Sequence, residues 1–174
     1  MTVRTFQKLR HMFGGAAVVS VVLFLPAIAQ ESVAELQARF DHENNSVKKA
    51  KLLVRLGDAQ FEESRRAGKA GDNNAVDATM EKYRDNVRAA LDALKKQHPD
   101  ADKHSNGYRQ MEMQVKQGIR EVEDSMLAAT PAYKPPLQLV RQDLIAMDDE
   151  MIRMLFPLRP APVKPAAPPE EKQS

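Results

Sequence analysis

Cysteine is absent from this 174-residue sequence and histidine occurs four times. The lack of cysteine removes thiol nucleophiles, thiolate metal sites, covalent haem attachment and disulfides at once. No HExxH, GxSxG, glycine-rich phosphate loop or calcium-loop spacing occurs either. His98 and His104 flank Pro99 with Asp100 and Asp102 between them, a set of nitrogen and oxygen donors suited to weak binding of a divalent cation. A polar connection between two helices explains the same residues more simply. No metal site and no cofactor are therefore expected. His42, between Asp41 and Glu43, is read as part of a solvated helix end.

Methionine is the other chemically distinctive residue. Met80, Met111, Met113, Met126, Met147, Met151 and Met154 fall in helical segments, and thioethers are soft ligands able to hold Cu(I). They are also adaptable core fillers, and packing is the expected role of all seven. Met147, Met151 and Met154 share one helical stripe and form the candidate partner groove. Carboxylates are abundant, as in Glu62-Glu63 and Asp148-Asp149-Glu150, but they lie off the apolar stripes among Lys and Arg. Acid–base pairs need burial to separate their pKa values, so these acids are expected on solvated faces and no catalytic residue is assigned.

The N-terminus suggests the compartment. Arg4, Lys8 and Arg10 precede an apolar run from Met12 to Leu25 and the small-residue stretch Pro26-Ala27-Ile28-Ala29. This is the order of a secretory signal, and Ala27 with Ala29 gives the A-x-A pattern of a cleavage site, leaving Gln30 as the first mature residue. The protein is expected in the periplasm or secreted; the alternative is an inner-membrane anchor formed by residues 12–29, at the short end of a bilayer span. Removing three basic residues leaves 23 Lys+Arg against 24 Asp+Glu. The mature chain is thus near neutral, with no basic stripe of the kind that binds nucleic acid.

In the remaining sequence, apolar residues recur at three- and four-residue spacing, the period of a helix. A leading helix is expected over Ser32–His42, and a first long one from an N-cap at Ser46 to about Ala70. Its stripe is Val47, Ala50, Val54, Gly57, Phe61, Ser64 and Gly68, whose small members suggest close helix approach. The turn Gly71-Asp72-Asn73-Asn74 leads to a second long helix with Val76, Met80, Tyr83, Val87, Ala90 and Leu94, stopped at His98-Pro99-Asp100. Tyr108, Met111, Val115, Gly118, Val122 and Ser125 mark the third. After the stiff segment Pro131–Pro136, Leu137, Val140, Leu144, Met147, Met151 and Met154 mark the fourth. Short connections between long helices imply antiparallel hairpins, giving an all-α domain over 30–157 as a four-helix bundle or short stack. Residues 158–174, rich in Pro and Ala, are expected to form a disordered tail.

Leu53, Leu56 and Gly57, then Thr79 and Tyr83, then Leu94-Lys-Lys-Gln-His-Pro99-Asp100 resemble the helix pair of a tetratricopeptide repeat. The match spans residues 53–100, longer than the family's repeat of about 34 residues. Gln60 and Phe61 stand where the first-helix tyrosine is expected, and Thr79 replaces the packing alanine. The resemblance implies stacked helical hairpins. In class properties, as an exported, cysteine-free, long-helix protein, the chain is also similar to periplasmic chaperones and metal-stress sensors of the Spy/CpxP type, without their LTxxQ motifs.

The expected function is non-catalytic: an exported helical scaffold that binds a protein or peptide partner through an apolar surface left after the hairpins pack. The alternative is a Spy/CpxP-type chaperone or sensor using a Met-rich groove. Nucleic acid is not an expected partner, and a membrane only through an uncleaved signal segment.

Overall fold

The computed structural model describes residues 31–157, which form five α-helices and one 3-10 turn, with no strand among the described residues. The helices are α1 (Val33–His42), α2 (Ser46–Lys69), α3 (Asn73–Gln97), α4 (Ser105–Ala128) and α5 (Lys134–Leu155). The all-α expectation is met. The expected signal segment with Ala27, Ala29 and Gln30, the alternative anchor over 12–29 and the expected tail over 158–174 lie outside the described residues. None of the described helices is long and apolar enough to cross a membrane.

The helix ends follow from local hydrogen-bond chemistry. Ser32 and Glu35 form a reciprocal capping box at the start of α1. The cap of α2 is Asn45 rather than Ser46: its side chain accepts from the Lys48 N–H at 2.9 Å, and Ser46 is the first helical residue. Gly71, at φ 76°, ends α2 in the left-handed conformation that glycine adopts without cost. The Asp72 N–H then reaches the Ala67 carbonyl and the Gly71 N–H the Gly68 carbonyl, each at 3.0 Å. Asp72 also caps α3 by accepting from the Ala75 N–H. One short link closes a helix and opens the next, so α2 and α3 must run antiparallel. The segment expected as a stiff connector is largely helical. Pro131–Tyr133 is a 3-10 turn, and Pro135 and Pro136 occupy the first turn of α5, where a missing N–H costs little.

In each hairpin, α2 packs on α3 and α4 on α5; the hairpins meet through α2 against α4 and α3 against α5. The order of contacts gives the direction. Asp58 meets Gln117 and Arg65 meets Glu121, while Arg88 meets Asp143 and Lys95 meets Glu150. Numbers rise together in both pairs, so the stacked helices are parallel and the hairpins lie in the same orientation. This packing is compatible with a helical-repeat-like fold. Helix α1 flanks α2 on the other side, where Glu31 pairs with Arg55 and the Lys49 ammonium lies over the Phe40 ring.

The apolar stripes meet in one core that includes Phe40, Leu53, Leu56, Phe61, Tyr83, Leu94, Tyr108, Met111, Leu137 and Leu144. Each fully buried side chain of this size contributes roughly 1.5–3 kcal/mol, which is how a chain without disulfides holds together. At the centre, the Tyr83 ring lies between two glycines. A Cβ built on Gly57 would sit 3.0 Å from Tyr83 Cε2, and one on Gly118 would sit 2.6 Å from Tyr83 Oη. Because Gly118 lacks a side chain, the phenol reaches the α4 backbone and donates to the Gln114 carbonyl at 2.8 Å. Phe61 packs against the ring at 4.7 Å between centroids, tilted by 60°.

Periodicity alone places several residues wrongly. Gly68, expected on the packing stripe of α2, is exposed. Asp148, expected on a solvated face, is 8% exposed, because its place next to Met147 turns it into the seam between α5 and α4. Met113, expected to pack, is 69% exposed on the side of α4 opposite Met111 and Val115.

Candidate interaction surface

The side chains proposed from the sequence as a partner groove do not form an open one. Met147 and Met151 are buried in the core and Met154 packs half-buried against it, so a partner reaches the Met147 and Met151 thioethers only if α5 moves. The cleavage residues Ala27, Ala29 and Gln30 lie outside the described residues.

What the helices leave uncovered is the outer side of α4. Residues 107, 108, 111, 114, 115, 118 and 122 of α4 are buried, and the opposite side carries Arg109, Met113, Lys116, Arg120 and Leu127. The spacing of 4, 3, 4 and 7 residues puts these five on one stripe, and the position the last step passes over is Glu123, which pairs with Arg141 of α5. Leu127 is 82% exposed, four turns from Met113 on the same side. Leu139 on α5 and Phe156 at its C-terminal cap are also exposed, at 61% and 64%. Each exposed apolar side chain alone would be ordinary; their alternation with cations along one stripe makes an amphipathic, basic ridge. The Lys116 ammonium is held charged by Glu112, one turn earlier on α4. Neither Arg109 nor Arg120 has an ion-pair partner among the described residues.

The seam beside this ridge contains the unusual carboxyl. Burial raises the pKa of Asp148, the Lys116 cation lowers it, and Glu112 with Asp149 raises it again. Its Oδ1 is enclosed and has no hydrogen-bond partner. Lys116 pairs with Glu112 instead, leaving the Asp148 charge only partly compensated.

Other buried polar groups serve the fold. The side-chain amides of Gln37 and Asn86 exchange two hydrogen bonds of 3.0 and 2.9 Å, tying α1 to α3 beside Gln60. Burial, and then the nearby Asp58 charge, push the Tyr83 phenol far above its ordinary range, so it remains a protonated donor to α4.

Two clefts lie at the edges of the stack. One of about 350 Å³ opens between the ends of α2 and α4 beside the start of α3, lined by Ser64, Arg65, Lys69, Val76, Asp124 and Ser125 among others. The other, of about 370 Å³, lies along α1 beside Gln37, Gln60, Thr79 and Lys82. The Ser125 hydroxyl donates to the Glu121 carbonyl and the Ser64 hydroxyl has no partner, so neither is engaged by an acid or imidazole in the manner of an activated nucleophile. Among the described residues no group of three or more His, Asp or Glu is arranged to hold a metal ion. No family model, curated protein or solved structure matches the chain.

The ridge on α4 is visible in the sequence as a second stripe running opposite the apolar one. The apolar stripe draws attention first, and Met113 is easily counted with the core methionines. The signal that separates it is phase: 111, 115, 118 and 122 fall on one side of a helix, whereas 109, 113, 116, 120 and 127 fall on the other.

Proposed function

We propose that this protein is a non-catalytic, exported interaction module that binds a partner through the outer side of α4. The observation that carries the reading is the ridge of Arg109, Met113, Lys116, Arg120 and Leu127, left uncovered by the hairpin stack. An acidic amphipathic segment of a protein or peptide complements it: acids would pair with Arg109 and Arg120, and apolar side chains would cover Met113 and Leu127. Export rests on the charged, apolar and small-residue order of the first 29 residues. Two like-oriented hairpins also favour a tetratricopeptide-like scaffold, a class whose stacked helices serve as binding surfaces. The enclosure of Met147 and Met151 weighs against the Met-groove alternative of the Spy/CpxP type.

The test is a crosslinking pull-down from the cell envelope with the wild type and the double variant Met113→Lys with Leu127→Lys. The expected result is a discrete partner recovered by the wild type and lost with the variant, while the circular dichroism spectrum is unchanged. Equal recovery by both would remove α4 from the account, and fractionation in the same experiment tests export.

A further inference from the structure

We propose that the α3–α4 loop is a two-histidine site for a borderline divalent transition metal such as Zn²⁺, Ni²⁺ or Cu²⁺. The His98 and His104 rings are brought together at 5.2 Å between centroids, with planes 43° apart. Metal–nitrogen bonds are about 2.0–2.1 Å, and the ring centre lies little more than an ångström behind its nitrogen. Two imidazoles on one ion at octahedral to tetrahedral angles therefore have centres about 4.5–5.3 Å apart. The observed spacing falls in that range. Nitrogen ligands of this kind select the later first-row divalent ions over Mg²⁺ or Ca²⁺.

The loop fixes the backbone of both histidines before any ion arrives. Ala101 is buried in the core, and the Lys103 and His104 N–H groups both donate to the Asp100 carbonyl at 3.1 Å. The Tyr108 hydroxyl, from the first turn of α4, donates to the His98 carbonyl at 2.8 Å, and the His98 N–H donates to Leu94 at 2.7 Å. Both backbones are therefore anchored. Neither imidazole makes a hydrogen bond among the described residues, so their nitrogens are not committed to the fold.

His104 also departs from what the helix needs. It occupies the N-cap of α4 and makes no side-chain cap, as Tyr133 makes none for α5, whereas Ser32, Asn45 and Asp72 cap α1, α2 and α3 with their side chains. Histidine at this position forgoes a hydrogen bond that Asn, Asp or Ser would supply. A local rule broken without structural gain is the pattern expected at a functional position. With two protein ligands, the remaining coordination positions fall to water. Asp100 and Asp102 add negative charge to the loop, although Asp100 also pairs with Lys103. The site faces solvent and lies outside the α4 ridge, so it stands or falls independently of the proposed partner surface.

The test is calorimetric titration of the full chain with ZnCl₂ and, separately, NiCl₂, in a non-chelating buffer at neutral pH. A single-site isotherm is expected, weakened more than about tenfold by His98→Ala or by His104→Ala, since losing a ligand costs at least as much as losing its outer partner. His42→Ala, on a different helix, should leave the isotherm unchanged. His104→Asn gives an opposite pair of readouts: metal binding is lost while Tm without metal rises by about 2–4 °C as α4 gains a cap. Absence of binding at millimolar metal, or an isotherm that survives in the His98→Ala, His104→Ala double variant, would overturn the proposal. So would metal binding by His104→Asn equal to the wild type.

Discussion

The two sides of α4 are built by opposite rules. Facing α2 and α3, the helix presents Gly107, Gly118 and Gln114, and Tyr83 crosses to hydrogen-bond its backbone. Facing away, it presents Arg109, Met113, Lys116, Arg120 and Leu127, with no helix of the described chain over them. The inner side is fixed by shape, because a Cβ at 118 would overlap a ring that is itself enclosed. The outer side makes no comparable demand, so its composition is free to answer to a partner. The packing side and the proposed recognition side lie about half a turn apart on one helix, so each should be breakable without the other.

The largest effect is expected from Tyr83→Ala, which removes a fully buried ring, its contact with Phe61 and the bond to Gln114. A loss of about 3–5 kcal/mol is expected from denaturant unfolding. A loss under about 1 kcal/mol would mean that the ring is not the centre of the stack. Gly118→Ala comes next. The gain in helix propensity of about 1 kcal/mol is outweighed by overlap with Tyr83, for a net destabilisation of about 1–3 kcal/mol measured the same way. The same substitution at the solvent-facing Gly68, whose Cβ would meet Val76 at an ordinary 3.8 Å, should be neutral or stabilising.

Asp148 lies at the border between the two sides and gives a smaller, pH-dependent effect. Its folded pKa is raised mainly by burial, so the folded state holds its proton more tightly than the unfolded chain. Stability linked to this group is therefore present at low pH and lost as pH rises from the unfolded carboxylate range, near 3.9, through the higher folded value. Asp148→Asn removes the charge and should raise Tm at pH 7, with the gain vanishing at about pH 3. A gain that is equal at both pH values would assign the effect to packing. The smallest effect on stability belongs to the outer stripe: Met113→Lys with Leu127→Lys should stay within about 0.5 kcal/mol of the wild type. A larger loss would show that these side chains belong to the core after all.

Much of this was legible in the sequence. The apolar stripes of the four long helices locate most of the core, and the small residues on the α2 stripe, Gly57 among them, point to close approach. Their partner was not legible, because no local pattern says that Tyr83 of α3 will enter the space that two other helices leave. Asp148 was misplaced for a related reason: periodicity assigns a residue to a side of its own helix, whereas burial at the edge of that side depends on where the neighbouring helix lies. Likewise, the spacing of His98 and His104 says nothing of their separation until the anchoring of Ala101 and the Tyr108 hydrogen bond fix the loop. The cap at Asn45 in place of Ser46 is a choice between adjacent good caps, which sequence does not resolve.

The most direct test of the division across α4 is site-specific photo-crosslinking in intact cells, with the probe placed in turn at 113, 120 and 127 and, as a control, at the exposed Lys51 of α2. One discrete adduct is expected from all three α4 positions and none from 51, with an acidic amphipathic segment as the crosslinked partner sequence. Adducts from 51 in equal yield, or none from α4 while the protein is folded, would contradict that division.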